Sequence, residues 1–215
     1  MATRSLYYNS HYRSQKLLTR QVRDRPMPFW LTDDEHRTLA SALDRVIPPD
    51  DLSPGAGQAG GADYVDLLLG AFRFDPPRIW AGGPFSGRHG GDASFGNWLA
   101  LGRIEELAWR MRIEGSQGRP EREFNGPVVG WQAQYRTGLA ALGGDFAEVE
   151  PAEQDARLQS RVDEVFRTLL FEHACESLYG DPTYGGNRNG AAWAAIGFAG
   201  DVQPRGWTDE EVTNP

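Results

Sequence analysis

Apolar residues recur along this chain at helical spacing, and no run shows sustained strand alternation. Thr32-Asp33-Asp34-Glu35 reads as a capping box, with Thr32 as N-cap and Glu35 reaching back. It opens a helix whose apolar face holds Leu39, Leu43, Val46 and Ile47. Pro48-Pro49 ends that helix, because neither proline can donate to the ladder. A short apolar helix over 62–72 contains Leu67-Leu68-Leu69, a run that implies burial on more than one side. A helix over 99–113 carries Leu101, Ile104, Leu107, Ala108 and Met111 on one face. The next, over 128–142, repeats Val128, Trp131, Tyr135, Leu139 and Leu142, and Gly138 within it implies a close helix contact that offsets its low helix propensity. Gly143-Gly144 terminates it, and Pro151 opens a short acidic helix. The clearest stripe lies over 161–179: Val162, Val165, Phe166, Leu169, Leu170, Ala174 and Leu178, with Gly180 as a natural C′ stop. A last short element covers 191–196.

The segments between these helices are long and rich in glycine and proline. Residues 1–28 read as an extended arm closed by Pro26 and Pro28, with Tyr7, Tyr8 and Tyr12 as aromatic anchors. Residues 73–98 combine many Gly and Pro with Trp80, Phe85 and other aromatics, and a loop of this length in a compact domain is usually functional or part of an interface. Residues 114–127 are a polar loop and 201–215 a tail. The expectation is mainly α: a single irregular helical domain over 29–200, with long Gly/Pro-rich loops and an extended N-terminal arm.

Composition narrows the class. The 215 residues suit one domain, and no window approaches 18 consecutive apolar residues, which argues against a membrane span. A single cysteine, Cys175, excludes a disulfide scaffold. The formal net charge is −8, the opposite of what a global nucleic-acid binder carries. The charge is uneven. Residues 1–25 hold Arg4, Arg13, Lys16, Arg20, Arg23 and Arg25 against Asp24, a net of +5 that leaves −13 for the rest. The N-terminus lacks an Arg-Arg pair and an apolar signal core, so the expected location is cytoplasmic.

Catalytic patterns are sparse. Glu172, His173, Cys175 and Glu176 are close in sequence, but on a helix positions 173 and 175 point about 200° apart, which disfavours a metal site. The bland reading makes Cys175 a small buried residue and places His173 at a core edge. No Gly-x-Ser-x-Gly elbow occurs. Glu105, Glu106, Glu121 and Glu123 read as solvated carboxylates, although a carboxylate pair for glycoside chemistry stays open. Gly185-Gly186-Asn187-Arg188-Asn189-Gly190 follows a helix and is not Gly-x-Gly-x-x-Gly, so it reads as a sharply turned structural or docking loop rather than a phosphate cradle.

The C-terminal stretch Gly180-Asp181-Pro182-Thr183-Tyr184-Gly185-Gly186-Asn187, followed by Trp193 and Ile196-Gly197-Phe198, resembles the gluconate 2-dehydrogenase subunit 3 family. Members look like G-D-P-x-Y-G-G-N-x-x-G-x-x-W-x-x-I-G-F-P-G near their C-termini. Two supporting stretches are Ile47-Pro48-Pro49-Asp50 after the first helix, and Tyr135 to Leu142 followed by Phe146 and Pro151-Ala152-Glu153-Gln154. The resemblance covers about 29–200. It implies a non-catalytic small subunit that binds and stabilises or matures a large FAD-dependent oxidoreductase of the glucose–methanol–choline type. The FAD then belongs to the partner, this chain holds no cofactor or metal, and the assembly is a hetero-oligomer. Exported members carry a twin-arginine signal, which is not found here; the long 73–127 stretch and Ala199 in place of proline are further departures.

The residues expected at the partner interface are Tyr184, Asn187, Arg188, Trp193 and Phe198, then Trp80, Phe85, Tyr7, Tyr8 and Tyr12, since aromatics and arginine are the usual hot spots. The competing reading of Trp193 and Phe198 is that they only staple the C-terminal loop to the long helix. Two other functions stay open at this point: a stand-alone carbohydrate-active enzyme using carboxylates and loop aromatics, and a nucleic-acid adaptor working through the basic arm.

Overall fold

The structure is a computed structural model and describes residues 28–74, 77, 79, 101–180 and 182–198. Among these residues are seven α-helices and no strand: α1 (Asp33–Val46), α2 (Gly61–Leu69), α3 (Arg103–Ile113), α4 (Trp131–Leu142), α5 (Pro151–Ser160), α6 (Glu164–Tyr179) and α7 (Ala191–Ala195). The mainly α expectation holds. The arm 1–27, most of the 73–98 loop and the 201–215 tail lie outside the described residues.

α1 is the hub and touches α2, α4, α5 and α6. Its start is the expected capping box: the Glu35 amide donates to Thr32 Oγ1 at 3.3 Å and the Thr32 amide donates to Glu35 Oε2 at 2.8 Å. After Pro48-Pro49, Asp50 closes a turn by accepting the amides of Leu52 and Ser53 at 2.8 and 2.7 Å, and these bonds hold its carboxyl below the ordinary value. The core joins Leu39 and Leu43 of α1 to Val65 and Leu69 of α2, Tyr135 and Leu142 of α4, and Leu170 and Leu178 of α6. The three leucines of α2 diverge as their run implied. Leu69 enters this core, Leu68 packs on a second cluster of Ala71, Ile79 and Ile113, and Leu67 lies against Gly185.

Asp66 organises the chain ahead of α1. It is fully buried and accepts the backbone amides of Phe29, Trp30 and Leu31, the last two at 2.7 and 2.6 Å. A buried carboxylate needs such donors, and three consecutive amides on one side chain fix the entry to α1.

Several element limits differ from the sequence pattern. α3 begins at Arg103 rather than 99, because Gly102 is extended and its amide is capped by Glu105 at 2.7 Å. The apolar stripe expected on α3 is not its buried side: Ile104 is 83% exposed and Ala108 is exposed, while Ile113 alone is fully buried. α4 begins at Trp131, since the Val128 amide and carbonyl are both bonded to Ser116 outside the helix. α6 begins at Glu164, capped by Asp163 Oδ1 accepting the Phe166 amide at 2.8 Å, and Val165 faces solvent. The second helix ends at Leu69, with Phe72 in a 3-10 turn (Ala71–Arg73). Gly180 stops α6 in extended rather than left-handed conformation, with φ −72°. It must be glycine for a different reason: a Cβ there would run into the Glu176 carbonyl oxygen.

Candidate functional site

The C-terminal motif folds as a clip over the junction of α2 and α6. Two turns, Pro182–Tyr184 and Arg188–Gly190, carry the chain back from the end of α6. Gly185, at φ +106°, lies against Tyr64 and Leu67, and Gly186 lies against the backbone of Ser177. Side chains at either position would push the loop off the helices.

Asn187 is the closing residue. It is fully buried in the left-handed conformation, φ 41°. Its Nδ2 donates to the Gly180 carbonyl at 3.0 Å, and its Oδ1 accepts the Ala192 amide at 3.0 Å. It thus bonds the chain before the loop to the chain after it. Arg188 donates its amide to the Ala59 carbonyl at 2.9 Å and its guanidinium to Asp63. Asp63 also pairs with His36 Nε2 at 2.9 Å, so one carboxylate ties α1, α2 and the motif together. Burial raises the Asp63 pKa, but the His36 and Arg188 hydrogen bonds outweigh it and leave the carboxyl below its ordinary value. Trp193 Nε1 donates to the Tyr179 carbonyl at 2.7 Å, and the Phe198 ring meets the indole edge-on at 5.0 Å.

The residues expected at the interface therefore separate. Asn187 is consumed by loop closure, and the Arg188 charge is met by Asp63. Tyr184 and Trp193 are half-buried, and Phe198 is exposed. The staple reading of Trp193 and Phe198 describes their contacts with this chain, yet it leaves the outer face of Phe198 open. Tyr7, Tyr8, Tyr12, Trp80 and Phe85 lie outside the described residues.

The structure adds neighbours that the core stripe of α6 concealed. Phe171, Cys175 and Tyr179 recur every fourth residue on the outer side of α6, a spacing readable in the sequence once the buried side is known. Phe171, Tyr179, Ile196 and Phe198 are between 47% and 60% exposed. Through Trp193 the Tyr179 end of this strip joins the clip.

Beneath the clip is a polar cluster that sequence reading missed. The Tyr135 hydroxyl lies 2.9 Å from His173 Nδ1, and Tyr64 donates to Glu176 Oε2 at 2.8 Å. His173 Nε2 is 4.0 Å from the same Glu176 oxygen, and the Trp131 ring meets the imidazole edge-on at 4.8 Å. His173 is fully buried and Cys175 half-buried, the reverse of the expected placement. The register decides it: His173 falls in the centre of the buried side of α6. Burial lowers the His173 pKa to about 4. Glu176 is more than half exposed, so water screens most of its attraction for the imidazole. A buried neutral imidazole with a tyrosine on one nitrogen supports packing rather than substrate chemistry.

Other candidate groups are also in structural use. Glu105 caps α3, and Glu106 pairs with Arg110 at 2.8 Å. Among the described residues no group of three or more His, Cys, Asp or Glu is placed to hold a metal ion, and no helix is long and apolar enough to cross a membrane.

Among the described residues the body is all-α and is closed by the C-terminal clip, with apolar side chains on its outer face. Residues 33–200 match the family model for gluconate 2-dehydrogenase subunit 3, and the chain belongs to that family. No curated protein and no solved structure matches it. The family name makes the chain one subunit of a dehydrogenase complex.

Proposed function

We propose that this chain is the non-catalytic small subunit of a flavin-dependent sugar or alcohol oxidoreductase, which it binds and stabilises or matures. The FAD and the chemistry belong to a large partner of the glucose–methanol–choline type. The observation that carries the reading is the exposure of Phe171 and Tyr179 on α6 and of Ile196 and Phe198 at the clip, on a body whose conspicuous polar groups are paired internally. Membership of a family named for a dehydrogenase subunit supports it. Aromatic anchors on rigid elements are what a protein interface uses, and large apolar side chains left in water are stabilised when a partner covers them.

The partner covers these side chains, and the clip packs Phe198 edge-on against Trp193, whose indole is bonded to the Tyr179 carbonyl. Trp193 acts as the support beneath that ring. The test is purification of a tagged copy from the native host. Co-elution with a large chain of that oxidoreductase type and a flavin absorption band is the expected result. A colourless, monodisperse monomer overturns it.

A further inference from the structure

The connection between α3 and α4 is a closed loop with a rigid neck. At residues 116 and 128 the two sides pair: the Ser116 amide donates to the Val128 carbonyl at 3.0 Å, and the Val128 amide donates to Ser116 Oγ at 2.9 Å. Below the neck Gly115 and Gly130 pass backbone to backbone, and a Cβ on Gly115 would come within 2.7 Å of the Gly130 nitrogen. The loop interior is filled by Arg122, only 4% exposed, whose Nη1 donates to Glu114 Oε2 at 2.9 Å and to the Gly115 carbonyl at 3.1 Å. Ordered internal bonds with close ends are the marks of an Ω-loop.

Its tip is a turn closed by the Gly126 amide donating to the Glu123 carbonyl at 2.9 Å, with Gly126 at φ +95°. Phe124 sits inside that turn and is 93% exposed. The interior of the loop is occupied by Arg122, and Phe124 projects from its tip. Glu121 and Glu123 flank the ring in sequence, the Arg122 charge is met internally by Glu114, and the Arg119 amide is bonded to the Ser116 carbonyl.

We propose that this loop is a preformed docking knob, with Phe124 entering an apolar pocket rimmed by basic side chains on the large oxidoreductase subunit. The proposal rests on the small-subunit reading above. The loop backbone is already held by its own hydrogen bonds and loses little freedom on docking, so more of the burial of the ring appears as affinity. The two carboxylates select a basic rim and oppose anionic lipid surfaces.

The wild-type complex is purified from the native host, the large subunit is separated, and it is titrated with wild type, Phe124→Ala and Phe124→Leu. Phe124→Ala should weaken binding by roughly tenfold to a hundredfold, Phe124→Leu by much less, with unchanged thermal unfolding because the ring contributes nothing to the core. A benzophenone side chain at position 124 should crosslink to the large subunit beside Arg or Lys. Equal affinities for wild type and Phe124→Ala overturn the knob while leaving the small-subunit reading intact. Absence of any large subunit overturns both. Sedimentation of the chain with phosphatidylglycerol vesicles, or self-association that Phe124→Ala abolishes, assigns the ring to another surface and also overturns the proposal.

Discussion

Gly138 of α4 meets the ring of Phe166 on α6 so closely that a Cβ at position 138 would lie 2.5 Å from the ring carbons. This contact sets how near the two helices approach. It also brings Tyr135, one turn earlier, edge-on against the same ring at 5.4 Å.

Alanine is the better helix former by about 1 kcal/mol, so a surface Gly138→Ala change would stabilise. Here overpacking of about 1–3 kcal/mol opposes it and prevails, because the ring is walled in by core. Gly138→Ala is expected to lower the thermal midpoint. Adding Phe166→Leu should recover part of the loss, a coupling that a double-mutant cycle reads directly.

Asp66 is the second point of leverage. Asp66→Ala leaves the amides of Phe29, Trp30 and Leu31 without their acceptor, at an expected cost of about 3 kcal/mol or more. Hydrogen exchange should locate the damage first at residues 29–31 and the start of α1. Uniform loss of protection across α6 instead would contradict this.

Acid should act through His173. Its folded pKa is about 4 against an ordinary 6.5, because burial disfavours the charged form. Between those values the unfolded chain binds the proton and the folded chain does not. Stability is therefore flat above pH 6.5, falls as pH drops towards 4, and stops falling on this account below that. The full loss is roughly 3 kcal/mol. The groups facing the ring are the Tyr135 hydroxyl, the Trp131 and Tyr64 rings and, from one side, Glu176. Depressed carboxyls such as Asp63 and Asp155 hold stability that is lost only as pH falls through their own lower values. Denaturant titrations of His173→Gln from pH 7 to 4.5 should show the slope removed.

Asn187 separates conformation from hydrogen bonding. Asn187→Gly keeps the left-handed backbone and loses both side-chain bonds, whereas Asn187→Ala loses the bonds and adds strain. Alanine is expected to be worse by about 1 kcal/mol. Limited proteolysis after residue 180 should increase in the same order.

Helix existence and the Thr32 box are legible in the sequence because each depends on neighbours within one or two turns; Gly138 and the glycine loop signal close contacts, but their partners, Phe166 for the one and Tyr64, Leu67 and Ser177 for the other, come from distant segments. Hydrophobic spacing then located the cores of α1, α4 and α6. The first turn of α4 differs because Ser116 bonds the Val128 backbone outside the helix, and that of α6 because Asp163 caps it at Glu164. The exposure of Ile104, Val165 and Phe171 could not be read from spacing, since an apolar side chain follows the same period whether or not another surface arrives to cover it.

Local order and family membership thus follow from the chain itself: caps, breakers, periodicity and the long C-terminal motif are written in adjacent residues. Only the tertiary structure decided the rest. It chose Asp66 as acceptor for a segment more than thirty positions away. It buried His173 and Asn187 while leaving Phe124 and Phe198 in water. Those outcomes depend on which surfaces meet, and no single element carries that information.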